Sequence, residues 1–390
     1  MRFNYAFIMF IGVFLSLYAL LHLYFYRKVT KAFHLTLSQN IIFIIILFLL
    51  LLSPIIMRLI EGKGPEALST AVTYAGYLWM GIIFLLFALN LAVDIYRFFI
   101  YLSSHIFNIN LLKLMPDRRV ALICVILVTA FINLYGVYEA WDIRAEMVTL
   151  ETTKLPANVE RLRVVQISDI HFSRINGIRL AEKITGMISG LNPDLLVSTG
   201  DLIDDGLKEQ DKVKRLFRDI NSKYGKYAAT GNHEFFAGIQ ITGKFTEDCG
   251  FRLLRNESIS VNDFINIAGI DDPAVNRGGF VHKIDEAGVI KGFSPDKINI
   301  FLKHQPRIEK ESINKFDLQL SGHTHRGQIF PFSIFVGMMF KHMDGLYNLG
   351  SNSYLYVSSG TGTWGPPIRF LAPPEITVID FVHEQPRQIN

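Results

Sequence analysis

Five short clusters in the C-terminal half of the chain supply carboxylates, imidazoles and one amide in a fixed order: Asp169-Ile170-His171, Gly200-Asp201, Gly231-Asn232-His233-Glu234, His304, and Gly322-His323-Thr324-His325. None of them contains a cysteine. Oxygen and imidazole donors suit Mn, Fe, Zn or a similar divalent ion, not a soft-metal or structural thiolate site. In Asp169-x-His171 and His323-x-His325 the donors stand two apart, so on an extended segment both point the same way and can reach one ion. Each motif alone is weak: Asp-x-His is common by chance, Gly-Asp often only turns after a strand, and a lone histidine is usually exposed or satisfied. Their joint occurrence, in order, is what points to a two-metal centre for phosphoester hydrolysis.

The chemistry of such a centre fits these residue types. Two divalent ions about 3.5–4 Å apart can share a hydroxide and clamp phosphate oxygens for in-line displacement. A bridging position needs a carboxylate, and Asp201 is the candidate among the blocks. His233 is a candidate proton donor to the departing alkoxide, with Glu234 or another carboxylate keeping its imidazole protonated. No serine or cysteine nucleophile is required, so no covalent intermediate is expected.

The elements that must position these groups are legible as apolar runs. Leu162–Ser168, Asp194–Thr199, Lys226–Thr230, Asn299–Lys303 and Leu318–Ser321 read as strands that each end on a cluster. They alternate with amphipathic helical stretches, an α/β pattern. Open α/β sheets place their ligand sites at the carboxyl ends of strands, where all five clusters fall.

Of the 390 residues, half are hydrophobic and only 19% are charged. The apolar residues concentrate in residues 1–140, leaving a soluble part of about 240 residues, ample for a large core. The formal charge of +4 comes with no long basic run, so nucleic acid is not an expected partner. Cys124 and Cys249 are too few and too differently placed to indicate a disulfide framework.

Four apolar stretches, about 5–26, 40–60, 72–93 and 120–138, have the roughly 20 residues a bilayer span takes. The first has no small-residue cleavage site and reads as a retained helix, not a signal peptide. Arg27, Lys28 and Lys31 follow it, and Arg97, Lys113, Arg118 and Arg119 lie between the third and fourth. In the second loop Arg58 and Lys63 are offset by Glu61 and Glu66. The positive-inside rule then makes loops one and three cytoplasmic and the C-terminal domain extracytoplasmic. No charge falls mid-span, so the helices read as an anchor and give no sign of an ion path; Asp94 and Arg97 stand three apart near a boundary, where pairing is inexpensive. Residues 141–158 read as a linker and 159–390 as the catalytic domain.

With these blocks in place, the chain resembles the calcineurin-like metallophosphoesterases over about residues 160 to 382. The segment Gly360-Thr361-Gly362-Thr363-Trp364-Gly365-Pro366-Pro367 through Ala372-Pro373-Pro374-Glu375 is similar to the YkuE/YaeI-like branch and to transmembrane proteins with a metallophosphoesterase domain. The resemblance implies a four-layer αββα sandwich and two divalent metal ions. Asp169, His171, Asp201 and His325 would hold one ion; Asp201, Asn232, His304 and His323 would hold the other, with Asp201 bridging. His233 would be the acid near the leaving group. Two positions depart from the family: Glu234 stands where Asp is frequent, and Arg326 where Gly is frequent and reads as a surface arginine. Asp204 and Asp205 are expected to act indirectly or in solvent, not as ligands.

The expectation is therefore a multi-pass, membrane-anchored phosphoesterase acting on a phosphodiester or phosphomonoester, a phosphodiesterase being favoured over a monoesterase. The anchor and topology favour a substrate at the membrane surface, such as a phospholipid, a lipid-linked intermediate or an envelope polymer. Three rival readings are a metal-binding sensor or interaction module on a retained fold, a cytoplasm-facing hydrolase of a nucleotide-linked lipid precursor, and a transporter with an accessory domain. Ester class, native metals and oligomeric state are not readable from these residues.

Overall fold

A computed structural model describes residues 5–60, 65–204, 206–278, 284–350 and 352–384. The chain divides into two compact units, residues 1–137 with 365–368, and residues 138–364 with 369–390. Asp205, Glu61 and Lys63, which entered the sequence reading, lie outside the described residues.

The first unit is helical: α1 (Tyr5–Ala32), α2 (Leu37–Leu51), α3 (Ser53–Ile60), α4 (Glu66–Ile106) and most of α5 (Arg118–Trp141). All four expected spans fall on helices. Thr36 and Gln39 form a capping box that starts α2. Among the described residues, α4 and the segment Leu112–Trp141 are long and apolar enough to cross a membrane, and α2 with α3 adds a third if that pair, bent by 53°, is one span. Tyr18, Phe25, Leu47, Ile83, Leu86, Leu122 and Val125 pack as the unit's own core. Asp94 pairs across helices with Lys28 and accepts a 2.7 Å hydrogen bond from Tyr24, while Arg97 donates to the Pro116 carbonyl at 2.7 Å. The partner of Asp94 thus comes from another helix rather than from the same face of α4. A cavity of about 660 Å³ is lined by Lys31, Arg97, Arg118 and Arg119.

The second unit is an α/β sandwich. Its elements run β1 (Arg144–Thr152), β2 (Arg161–Ile167), α6 (Ile178–Leu191), β3 (Leu195–Ser198), α7 (Gln210–Arg218), β4 (Lys226–Ala228), α8 (Asn232–Ala237), α9 (Ile239–Asp248), β5 (Arg252–Leu253), β6 (Glu257–Ser260) and β7 (Ile265–Gly269). Then come α10 (Glu286–Val289), β8 (Ile298–Leu302), β9 (Leu318–Ser321), α11 (Phe332–Met339), β10 (Gly345–Gly350), β11 (Ser353–Val357) and β12 (Glu375–His383). They make two mixed six-stranded sheets, ordered β1-β12-β2-β3-β4-β5 and β10-β11-β9-β8-β7-β6. The parallel runs β2-β3-β4 and β9-β8 carry the five expected strands.

Of these strands, β2, β3, β8 and β9 are buried on both faces along most of their length, which explains their near-continuous apolar runs. Leu162, Val164, Leu195 and Val197 of one sheet meet Ile267, Ile300, Leu302 and Leu318 of the other. Val165, Ile167 and Leu196 face the opposite way, onto Leu180, Ile184 and Ile188 of α6 and Val213 and Phe217 of α7. Their i, i+4, i+8 spacing on α6 is the apolar stripe that seats the helix. Residues 144–152, within the stretch expected to be a linker, instead form β1, paired parallel with β12 from Arg144↔Glu375 to Thr152↔His383. Most of β1 is exposed, so it lacks the apolar signature that marked the other strands.

Cys249 is enclosed beside Phe245 and Phe251, and burial pushes its thiol up to about 12. In the folded protein it should resist iodoacetamide at pH 8 and react promptly in denaturant, read by mass-spectrometric mapping. Alkylation of the native protein at Cys249 would mean that this layer opens readily.

Candidate metal centre

The carboxyl ends of β2, β3, β4, β8 and β9 deliver the five clusters to one place. The connecting backbones lock together: Asp169 N–H donates to Gly200 O at 3.1 Å, His171 N–H to Asp201 O at 3.0 Å, and Gly322 N–H to His304 O at 2.9 Å. Gly200, at φ +98°, leaves no room for a side chain, since an added Cβ would lie 2.3 Å from Gly231 N. The ligand-type residues themselves are forced into the left-handed region: Asp169, His171, Asp201, His323 and His325 have φ between +47° and +72°. Such backbone is unfavourable for residues with a Cβ and persists where surrounding structure over-determines it.

Three groups of potential ligand atoms each lie within 4.8 Å of one another: Asp169-His171-His325, His171-Asp201-His233, and Asp201-His304-His323. His171 Nε2 lies 3.1 Å from His325 Nε2, and His304 Nε2 lies 3.1 Å from both Asn232 Oδ1 and His323 Nδ1. Asp201 Oδ2 is 3.2 Å from His304 Nε2, and Asp169 Oδ1 is 3.4 Å from His325 Nε2. Two ligands bonded to one ion at about 2.1 Å and roughly tetrahedral to octahedral angles stand about 3.0–3.4 Å apart. Imidazole nitrogens facing one another at that separation need a shared proton or a shared cation, and the donor set fits divalent metal.

The ring orientations agree. His304 Nδ1 lies 2.8 Å from the Thr199 carbonyl, which can only accept, so Nδ1 carries a proton and Nε2 is the nitrogen turned to the cluster. His171 Nδ1 likewise faces Asp204 Oδ1 at 3.1 Å, leaving Nε2 for the cluster. Burial would raise the Asp201 carboxyl, but the imidazoles of His304, His233 and His171 hold it well below its ordinary range. Burial and the neighbouring His304 take His323 down to about 4.

His233 stands at the rim, half-buried, its ring 4.6 Å from that of His171. Its Nδ1 is 2.7 Å from Asp204 Oδ1. Burial alone would lower its pKa, but the charges of Asp201 and Asp204 raise it to about 9. Of the carboxylates that could keep this imidazole protonated, Asp204 is the one in contact; Glu234 makes no hydrogen bond to the ring and only adds to the upward pull through its charge. Its carboxylate is buried and accepts three backbone N–H groups, from Asp201 at 2.9 Å, Leu202 at 2.8 Å and Gly231 at 2.7 Å. At the first turn of α8 it points back into the β3 and β4 loops, and burial with the nearby Asp201 lifts it to about 7. Arg326 is exposed and faces Asp344 at 3.3 Å.

Arg369 was not singled out from sequence. It is fully buried, donates to the carbonyls of Ser359, Gly360, Gly362 and Ala372, and brings Nη2 to 3.3 Å from His325 Nδ1. The available signal was a lone arginine inside the apolar run Ile368 to Ala372.

Glu234→Gln tests the role assigned to Glu234. One amide oxygen can replace Oε2, but the NH₂ then faces the Leu202 N–H, which should cost about 1–3 kcal/mol and lower the Tm. Asp204→Asn should lower the pKa of His233, read by NMR titration, because it removes the carboxylate in contact with that ring. A His233 pKa that falls in Glu234→Gln but not in Asp204→Asn would return Glu234 to an orienting role on His233.

A family model for calcineurin-like phosphoesterases matches residues 162–327. An uncharacterized metallophosphoesterase of Aquifex aeolicus is 36% identical over 257 residues, 65% of this chain and 97% of that protein. One from Campylobacter jejuni is 30% identical over 380 residues, 96% of this chain and 98% of its own length, so the similarity runs through the helical unit as well. A transmembrane protein with metallophosphoesterase domain from Danio rerio is 32% identical over 266 residues, 65% of this chain and 61% of that protein.

Proposed function

Because this chain belongs to the calcineurin-like metallophosphoesterase family, we propose that it is a membrane-anchored, dinuclear-metal hydrolase of a phosphodiester or phosphomonoester. The observation that carries this reading is the pair of donor clusters joined at Asp201. Asp169, His171, Asp201 and His325 would hold one ion, and Asp201, Asn232, His304 and His323 the other. Two divalent cations bound there would supply charge neutralisation at the phosphate and a water acidic enough to attack near neutral pH.

The chain's own groups do the rest. Asp201 Oδ1 accepts the His233 N–H at 2.8 Å, which fixes the carboxylate and leaves Oδ2 turned toward the imidazoles. Asp204 holds His233 Nδ1, so Nε2 delivers the proton to the departing oxygen. The backbone amides on Glu234 keep the β3 and β4 loops in register, and the buried Arg369 side chain lies behind the His325 ring.

Asp201→Ala should lose both ions, whereas His325→Ala should weaken chiefly one, measured by metal analysis on purified protein. Two tightly held ions in Asp201→Ala would sink the bridging assignment.

Loss of the acid has a kinetic signature. His233→Asn should retain metal and slow turnover by roughly 10²–10⁴-fold, more for an alkyl leaving group than for nitrophenolate. The charged imidazole is present below its pKa and lost as pH rises through it. Bound cations oppose the upward pull of Asp201 and Asp204, so the alkaline limb for the alkyl ester should fall at or below pH 9 and vanish in His233→Asn. Equal losses on both leaving groups would move the acid elsewhere.

The anchor would consist of spans 5–26, 40–60, 72–93 and 120–138, with the catalytic unit extracytoplasmic. Supporting this orientation, cations from the first and third inter-span segments line one cavity of the helical unit, as expected if both lie on the lysine- and arginine-rich cytoplasmic side. A reporter fused after Asn390 should be active only outside the cytosol. Cytosolic activity at that position would invert the topology.

A further inference from the structure

The chain leaves the last metal-ligand loop through Arg326 and enters α11, Phe-Ser-Ile-Phe-Val-Gly-Met-Met. Apart from Ser333 every side chain of this helix is apolar or absent, so it is hydrophobic all round. A helix of that kind belongs in a protein core or in lipid, yet α11 has no buried residue. Met338 is 81% exposed, Met339 75%, Phe335 56% and Ile334 55%. Phe330 just before it is exposed as well. From Arg326 through Met343 there is no acidic residue, while Arg326, Lys341 and His342 flank the helix.

This apolar element is continuous with the metal centre. Thr324 Oγ1, between the two histidines, donates to the Met343 carbonyl at 2.6 Å. Phe340, at the end of the helix, packs its ring 5.3 Å from that of His323. On the proton-donor side, Trp364 is 54% exposed and its ring lies 5.8 Å from that of His233. An exposed indole beside the leaving-group position and an exposed apolar helix behind the phosphate position suit an ester whose alcohol is apolar. The chain itself supplies the matching phase: α4 and the segment ending at Trp141 are long and apolar enough to cross a bilayer, and only Asp142 and Ile143 separate that segment from β1. Apolar side chains rimmed by cations are the composition that inserts at the headgroup–acyl boundary of an anionic leaflet.

We propose that α11 seats in the headgroup–acyl boundary of a lipid leaflet and presents the metal centre to the phosphoester of a membrane lipid. This rests on the reading of the site as a phosphoesterase and names its substrate class. Water-soluble esters would be turned over without that presentation.

The test uses the full chain in vesicles of phosphatidylcholine with phosphatidylglycerol, carrying Cys124→Ser to remove the exposed thiol. Met338→Cys is labelled with an environment-sensitive nitrobenzoxadiazole, and Glu182→Cys on exposed α6 serves as the aqueous reference. The label at 338 should emit to the blue of the reference and be quenched by lipids bearing a nitroxide high on the acyl chain, with little quenching by aqueous iodide. An aqueous spectrum with full iodide quenching overturns the proposal. In unlabelled protein, Ile334→Ser with Met338→Ser should lower hydrolysis of vesicle phospholipid at least tenfold relative to hydrolysis of a soluble chromogenic diester. An unaltered ratio overturns it too. Quenching needs no turnover, so a lipid-embedded label on a chain that hydrolyses neither ester would refute the phosphoesterase reading while leaving the insertion of α11 standing.

Discussion

Two buried carboxylates, Asp169 and Asp201, repel one another at the ends of adjacent parallel strands, and the site is organised around tolerating that charge. Burying anions in a protein interior is costly unless cations or donors surround them. Here the compensation comes from imidazoles on both sheets, from the His323 and His233 backbone amides, and from the buried Arg369 guanidinium, whose charge also acts on Asp169. A divalent ion in each cluster would complete the neutralisation. The same groups that ligate would then also be the groups that make the fold pay least for its two anions.

That requirement explains the geometry of the loops. For donors from five strands to converge, each chain must turn sharply as it leaves its sheet. Most of these turns are taken by the candidate ligand residues themselves, Asp169, His171, Asp201, His323 and His325, in left-handed backbone that Gly200 also adopts. Loops so conformed would relax if isolated. They are held by cross-loop hydrogen bonds between Asp169 and Gly200, by the three amides gathered on Glu234, and by the Thr361 and Gly362 amides on the Ser168 and Asp169 carbonyls. Glu234 therefore acts on the shape of the centre, and its departure from the commoner aspartate has a geometric counterpart: the longer side chain reaches both the β3 and the β4 loop.

The sequence was most legible where burial imposes a pattern. β2, β3, β8 and β9 lie in the middle of the sheets, covered on both faces, so their apolar runs and the clusters at their ends could be read directly. β1 lies at a sheet edge and is largely exposed, so residues 144–152 carry no such run and read as a linker. Which carboxylate serves His233 was left open by the sequence for a different reason. Glu234 is its neighbour in sequence, but successive residues at the start of a helix point in different directions. Asp204, twenty-nine positions upstream by residue number, is the carboxylate that space brings to it. Arg369 was hidden because its partners are carbonyls, which every residue has.

With eight residues, α11 is far short of the roughly 20 apolar residues a bilayer span takes. Contact with a leaflet from one side has no length requirement; it needs only enough apolar side chain at one depth and cations at the next. Eight residues between Arg326 and Lys341 meet that condition, and they do so next to His323 and His325 rather than at a random point on the surface. A soluble hydrolase would gain nothing from exposing methionine and phenylalanine there, and would risk association through them. For an enzyme held at a bilayer the same exposure lowers the cost of approaching a phosphoester whose alcohol stays in the lipid. On that proposal the apolar helix and the metal cluster would be two halves of one substrate-binding surface, one reading the lipid and the other the phosphate.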